Sequence, residues 1–204
     1  LSKRLGSLSL KDLRQEGFQP MAISSLLSKV GTSDAIDIFK NINQIIDDFD
    51  INKFGKSKPK FDKMELLNLN SKFFQLTNFD DISNQLNTLD FEITTEFWNL
   101  IKGNINTFND IKFWWNIVYG KIKTINDDHE FTHLALKTLP NDSFDKNTWS
   151  TWTSLLMKES GRKGKDLFKP LRLCLTGQNN GPEMANLVLT MGRQKIVERL
   201  NNKN

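Results

Sequence analysis

An all-α fold is the prediction, and three features of the sequence carry it. Apolar residues recur at three- and four-residue spacing, as in Ala22, Ile23, Leu26, Leu27 and Val30, and again in Ile111, Trp114, Trp115 and Val118. That period puts them on one side of a helix. From Asn78 to Leu139 no stretch alternates convincingly enough for a half-buried strand. Ser, Thr or Asp stands ahead of many of these stripes and glycine stands after several, which is how helices start and stop.

The elements follow in order. Ser7 or Ser9 caps a short helix carrying Leu10 and Leu13, and Gly17 stops it. Pro20 opens the next helix, which ends at Gly31. Thr32 or Ser33 caps a third, with Ile36, Phe39, Ile42, Ile45, Ile46 and Phe49 as its stripe. A loop rich in Gly, Ser, Pro and Lys runs to Asp62, the N-cap of a helix through Leu66, Leu69 and Phe73. Asp80-Asp81 begin a helix with Ile82, Leu86 and Leu89, and Thr94 or Thr95 begins one with Phe97, Trp98, Leu100 and Ile101. Trp114 and Trp115 fall at helical spacing and are read as core. After Pro140, Thr148 or Ser150 caps a helix with Trp149, Trp152, Leu155, Leu156 and Met157, ending at Gly161. Leu167, Leu171, Leu173 and Leu175 serve the next, and Gly192 breaks the last segment in two.

At 204 residues the chain forms one large or two small domains with a real core. Charged residues make up 25% and hydrophobic ones 38%, as in ordinary soluble proteins. A net charge of +4 permits a nucleic-acid partner without requiring one, because clustering decides. Cys174 is the single cysteine, which excludes an internal disulfide framework and suits a reducing cytoplasm. No apolar run reaches membrane-span length and no signal-peptide core opens the chain, so a cytoplasmic protein without a membrane partner is expected. A monomer is the expected state.

The cations do cluster. Gly161-Arg162-Lys163-Gly164-Lys165-Asp166-Leu167-Phe168-Lys169-Pro170-Leu171-Arg172 sets five cations beside one acid, with two glycines and an aromatic ring. Lysine and arginine displace counterions from phosphates, and a ring face accepts an unstacked base. The pattern suits single-stranded RNA, while a solvated basic turn is the plain alternative.

His129-Glu130-Phe131-Thr132-His133 spells H-E-x-x-H, the helical pattern of zinc hydrolases. A catalytic zinc needs a third protein ligand, the chain has no other histidine, and Glu159 is the nearest downstream glutamate to offer one. Two partly exposed histidines on an amphipathic helix are therefore expected, and no metal site.

The stretch GRKGKDLFKPLRLCLTGQNNGP resembles the C-terminal signature of bacterial glutamyl-tRNA synthetases, class I aminoacyl-tRNA synthetases. There a glycine–lysine turn leads into Phe-x-Pro-Leu-Arg, Leu-Thr-Gly and Gly-Pro. Trp149 and Trp152 upstream are similar to that family too. Leu1-Ser2-Lys3-Arg4 resembles the tail of its Lys-Leu-Ser-Lys-Arg loop, and Asp12-Leu13-Arg14 through Pro20 resembles the segment that follows. Phe49, Asp50, Phe61, Asp62, Leu66, Leu69 and Asn70 keep the family's order, with Asn68 where relatives often have Trp.

This resemblance implies the C-terminal portion of an enzyme that attaches glutamate to tRNA(Glu) through a glutamyl-adenylate. Residues 1–6 would end the ATP loop, 7–75 would be stem-contact helices, and 76–204 a helical anticodon-binding region with a break near 140. Lys3 would face ATP phosphates, with Ser2 and Arg4 shaping the loop. ATP with Mg and glutamate would be bound only with the catalytic domain, whose motifs are absent here, so no cofactor is expected for this chain alone. Arg162, Lys163 and Lys165 would meet anticodon-loop phosphates, and Phe168 or Trp152 would stack on a base. Arg172, Thr176 and Gly177 would contact base edges, or Arg172 would pair with a helix-end carboxylate. Gly103-Asn104 stands where many relatives carry the Glu-Arg whose arginine discriminates the last anticodon base. Its absence opens the alternative of a non-discriminating enzyme that also charges tRNA(Gln). The rival reading is a free-standing helical RNA-binding module.

Overall fold

A computed structural model describes residues 9–56 and 60–201. Among them are eleven α-helices, one 3-10 turn and no strand, as the apolar period predicts. They divide into two compact units: the described residues up to Ile93 with Lys102–Ile111, and Thr94–Ile101 with those from Lys112 onward.

The first unit starts with α1 (Leu10–Gln15). Ser9, rather than Ser7, caps it: Ser9 Oγ accepts the Asp12 N–H at 3.1 Å, and the Ser9 N–H donates to Asp12 Oδ2 at 2.9 Å. Gly17 sits at φ +86°, and its carbonyl accepts the Phe108 N–H at 2.9 Å. A Cβ there would strike that same backbone, so the close approach requires glycine. Pro20 is the first residue of α2 (Pro20–Lys29), as expected. It packs on α4 (Lys63–Leu76), with Leu13, Phe18, Ala22, Leu26, Leu66 and Leu69 forming the core. Asp62 caps α4 by accepting the Met64 N–H at 2.8 Å.

One expected element is corrected. No helix begins at Thr32 or Ser33; α3 spans Ile42–Asp48 and Asn41 caps it, accepting the Gln44 N–H at 3.1 Å. The cause is a competing set of side-chain bonds. Thr32 Oγ1 accepts the Asp34 N–H, the Phe39 N–H donates to Ser25 Oγ at 3.0 Å, and the Lys40 N–H donates to Gln44 Oε1 at 2.8 Å. The buried Lys29 ammonium binds both Asp34, at 2.8 Å, and Asp48, which ties the extended segment to α2. The 3-10 turn (Ile51–Lys53) and α5 (Phe79–Leu86) complete this unit.

Asn70, fully buried on α4, joins three segments of the first unit. Its Oδ1 accepts the Gln19 N–H at 2.7 Å, and its Nδ2 donates to the Asn106 carbonyl at 2.5 Å.

The second unit holds α6 (Thr95–Ile101), most of α7 (Asp110–Val118), α8 (His129–Thr138), α9 (Thr148–Ser160), α10 (Lys165–Thr176) and α11 (Met184–Asn201). α11 lies against α8, α9 and α10, and Gly192 at φ +70°, ψ 165° breaks it as expected. Trp98, Trp152, Phe97 and Leu156 are fully buried, as is Arg199. Arg199 Nη2 donates to the Ile117 and Gly120 carbonyls at 3.1 and 2.8 Å, closing the C-terminal end of α7. Trp114 is core as read from the sequence, while Trp115 is only partly covered. No helix among the described residues is long and apolar enough to cross a membrane.

Asn70→Ala strands a buried donor and a buried acceptor, each costing about 1–3 kcal/mol. Urea unfolding is expected to show a loss of roughly 2–5 kcal/mol at an unchanged m-value.

Candidate nucleic-acid interface

The basic stretch is the turn from α9 into α10 and the exposed face of α10. α9 ends at Gly161 in a left-handed conformation (φ +69°), with its N–H donating to the Met157 carbonyl at 3.0 Å. Gly164 at φ +52° reverses the chain so that α10 starts at Lys165. Leu167, Leu171, Cys174 and Leu175 bury one side of α10, which leaves Lys165, Phe168 and Lys169 outward. Those three fall within one helical turn and share a face.

Lys163, Lys165 and Lys169 are exposed, and their ammonium groups make no hydrogen bond or ion pair among the described residues. Phe168 keeps 38% of its surface exposed. It leans on Trp149 at 6.0 Å between ring centroids, and Trp149 meets Trp152 edge-on at 6.1 Å. The three rings run from solvent into the core, so Phe168 is a firmly seated platform. Unpaired cations around a supported ring can hold phosphates and one splayed base.

Four residues expected at the interface have other duties. Trp152 has no exposed surface, and its Nε1–H donates to the Ala135 carbonyl at 2.9 Å, so it offers no face to a base. Arg162 is not a free cation. Its Nη2 donates to Asp128 Oδ2 at 2.6 Å, and its guanidinium lies 4.7 Å from the centroid of the Phe131 ring. Arg172 pairs with a carbonyl instead of a carboxylate: Nη2 donates to Pro182 O at 3.0 Å, and burial pushes the guanidinium below its ordinary value. Thr176 is buried; its Oγ1 donates to the Arg172 carbonyl at 2.7 Å and accepts the Gln178 N–H at 3.0 Å.

Gly177 and Gly181 are also structural. Gly177 is the left-handed cap of α10 at φ +67°, and a Cβ there would lie 2.8 Å from the Lys123 carbonyl oxygen. A Cβ on Gly181 would enter the Trp114 ring. The Leu-Thr-Gly and Gly-Pro parts of the motif thus build the support behind the interface.

Gly103 and Asn104 are exposed and belong to the first unit. Ser2, Lys3 and Arg4 lie outside the described residues. His129 and His133 are both exposed on α8 beside a hollow of about 540 Å³, which Asn126 and Asn201 also line. Among the described residues no three His, Cys, Asp or Glu side chains are placed to hold a metal ion. Cys174 is buried, and burial pushes its thiol up to about 11, which keeps it in the thiol form at neutral pH.

Sequence reasoning missed Asp128. It caps α8 by accepting the Phe131 N–H at 3.0 Å, and that bond, followed by the one from Arg162, holds its carboxyl below the usual range. An Asp directly before a helical stripe is a readable N-cap signal. Its pairing with Arg162, 34 residues away, has no local signal.

The family described as anticodon binding domain matches residues 65–203, which include this turn and every charged or aromatic group around it. The chain belongs to that family. Over 203 residues, 98% of its length, the chain is 41% identical to glutamate–tRNA ligase 1 of Ehrlichia chaffeensis, and it covers 45% of that protein. It is 39% identical to glutamate–tRNA ligase 1 of Maricaulis maris at the same coverage. The chain thus spans about half the length of the curated relatives it matches. A solved glutamate tRNA ligase from Elizabethkingia meningosepticum shares the fold, with a TM-score of 0.75, 19% identity, and 93% of this chain aligned to 41% of that one. The relatives carry the same kind of name as the family that the sequence resembles.

The buried and exposed rings of this chain should separate in stability. Trp152→Ala is expected to cost about 3–5 kcal/mol, as large core truncations do. Phe168→Ala should cost under about 1 kcal/mol, since half-exposed side chains contribute little. Gly177→Ala should cost more than about 1–2 kcal/mol from the left-handed backbone alone. Thermal and urea unfolding of the three variants would check the ranking.

Proposed function

We propose that this chain is the tRNA-binding part of a glutamate–tRNA ligase, recognising the inner elbow and anticodon of tRNA(Glu). The observation that carries this reading is the set of unpaired Lys163, Lys165 and Lys169 around the seated Phe168 ring, in a chain of the anticodon-binding family. The lysines neutralise anticodon-loop phosphates and Phe168 stacks on an unstacked base. Arg162, Arg172, Thr176 and Gly177 act through the fold, holding the turn and the loop beyond α10.

The whole protein, whose relatives are about twice as long as this chain, attaches glutamate to tRNA in an ATP-dependent reaction through glutamyl-adenylate. ATP with Mg and the amino acid belong to a catalytic domain outside this sequence, and the chain alone binds RNA without charging it. Lys3 steadies ATP phosphates in that setting, beside Ser2 and Arg4, because charge builds on the leaving pyrophosphate. The protein works in the cytoplasm as a monomer. Gly103-Asn104 brings no cation to the last anticodon base, which favours acceptance of tRNA(Gln) as well as tRNA(Glu).

The test is binding to transcribed tRNA(Glu), tRNA(Gln) and an unrelated tRNA across salt concentrations. Each of Lys163→Ala, Lys165→Ala and Lys169→Ala should flatten the log–log salt slope by about 0.7, the value for one single-strand phosphate contact. Phe168→Ala should weaken binding by about 1–3 kcal/mol at an unchanged slope. Equal affinity for tRNA(Glu) and tRNA(Gln) above the control supports relaxed reading. Indifference among all three RNAs would sink the assignment.

A further inference from the structure

We infer that Asp128 and Arg162 form a latch that sets the position of the basic turn, so that Asp128, an acid, strengthens binding to a polyanion. This rests on the proposed RNA-binding role of Lys163 and Lys165. By simple charge counting Asp128 should be harmful there, because it neutralises one cation of the cluster and adds a negative charge beside it. The geometry argues the opposite.

Local backbone bonds shape the turn: the Gly161 N–H donates to the Met157 carbonyl at 3.0 Å, the Lys163 carbonyl accepts the Asp166 N–H at 3.2 Å, and the Gly164 carbonyl accepts the Leu167 and Phe168 N–H groups at 3.2 and 3.0 Å. Gly161 and Gly164 both adopt positive φ, and a Cβ built on either meets nothing within 4 Å, so that side of the turn is open. The Arg162 N–H bonds Ser160 Oγ at 3.2 Å, which is local. The Lys163 and Lys165 side chains bind nothing among the described residues. Arg162 is the side chain that carries the turn to another helix, and it does so at two points. Its Nη2 reaches Asp128 Oδ2 at 2.6 Å, and its guanidinium lies over the buried Phe131 ring at 4.7 Å. Asp128 is itself fixed, because its other oxygen, Oδ1, accepts the Phe131 N–H as the N-cap of α8. A carboxylate, a ring and a helix end therefore orient one arginine, and the arginine orients the two-glycine turn.

Ordering the turn before RNA arrives removes a conformational cost from binding. If release of the latch leaves the turn competent about a tenth of the time, apparent affinity falls about tenfold. The lysines touch the same phosphates once bound, so the salt slope stays as it is.

Asp128→Asn is the informative variant, since asparagine caps a helix as well as aspartate and α8 is preserved. Hydrogen exchange at residues 161–165 and tRNA(Glu) affinity would be measured in parallel for Asp128→Asn, Arg162→Gln and the double variant. The latch predicts faster exchange at the turn in all three, binding weakened about tenfold at unchanged salt slope, and a double variant no worse than either single one. Tighter binding by Asp128→Asn, with Arg162→Gln flattening the slope, would instead make Arg162 a phosphate contact and overturn the latch. Unchanged exchange at the turn in Asp128→Asn would overturn it as well, whatever the RNA does. Failure of the wild-type chain to prefer tRNA(Glu) over the unrelated tRNA strikes the functional reading instead, since the exchange measurement needs no RNA.

Discussion

Helices joined by irregular segments leave backbone donors and acceptors in the interior, and these must find partners. A few buried polar side chains meet that demand here. Asn70 serves the Gln19 N–H and the Asn106 carbonyl, Trp152 serves Ala135, and Arg199 serves Ile117 and Gly120. Each partner lies far along the chain from the residue that answers it. Apolar packing alone would bring the helices together, but these bonds decide which loop lies against which helix.

The same logic divides the signature stretch into two layers. Arg172, Thr176, Gly177 and Gly181 carry the chain out of α10 and around to Met184, and each is held by a backbone carbonyl, a backbone N–H or a ring. In front of them the lysine ammonium groups are unpaired, and Phe168 rests on Trp149 with part of its ring exposed. A motif that looks like one basic, RNA-facing patch is therefore mostly a scaffold, and only its unpaired members are available for contact. Arg162 shows why charge counting misleads: a guanidinium with a carboxylate at 2.6 Å and a ring beneath it is committed to the protein.

Much of the fold was legible. The caps at Ser9, Asp62 and Thr94, the opening Pro20, the closing Gly161 and the break at Gly192 are all where local chemistry put them. The third helix was misread because Ile36, Phe39 and Ile42 happen to continue a helical period. Lys29 draws Asp34 toward α2, and Ser25 takes the Phe39 N–H, so the segment stays extended. Nothing in the local sequence announces a partner on another helix. At the interface, the cations and rings were legible as types, but which were free and which were spent was not.

The sequence by itself determined the helices, their ends, the apolar faces and the place where positive charge gathers, because those follow from neighbours within a few residues. Only the tertiary structure decided that Trp152 is core while Phe168 is surface, that Asp128 holds Arg162, and that Gly177 yields to a carbonyl from Lys123. Those outcomes depend on groups tens of residues apart meeting at hydrogen-bond or van der Waals distance. Such meetings depend on how the whole chain packs, and no stretch of sequence contains them.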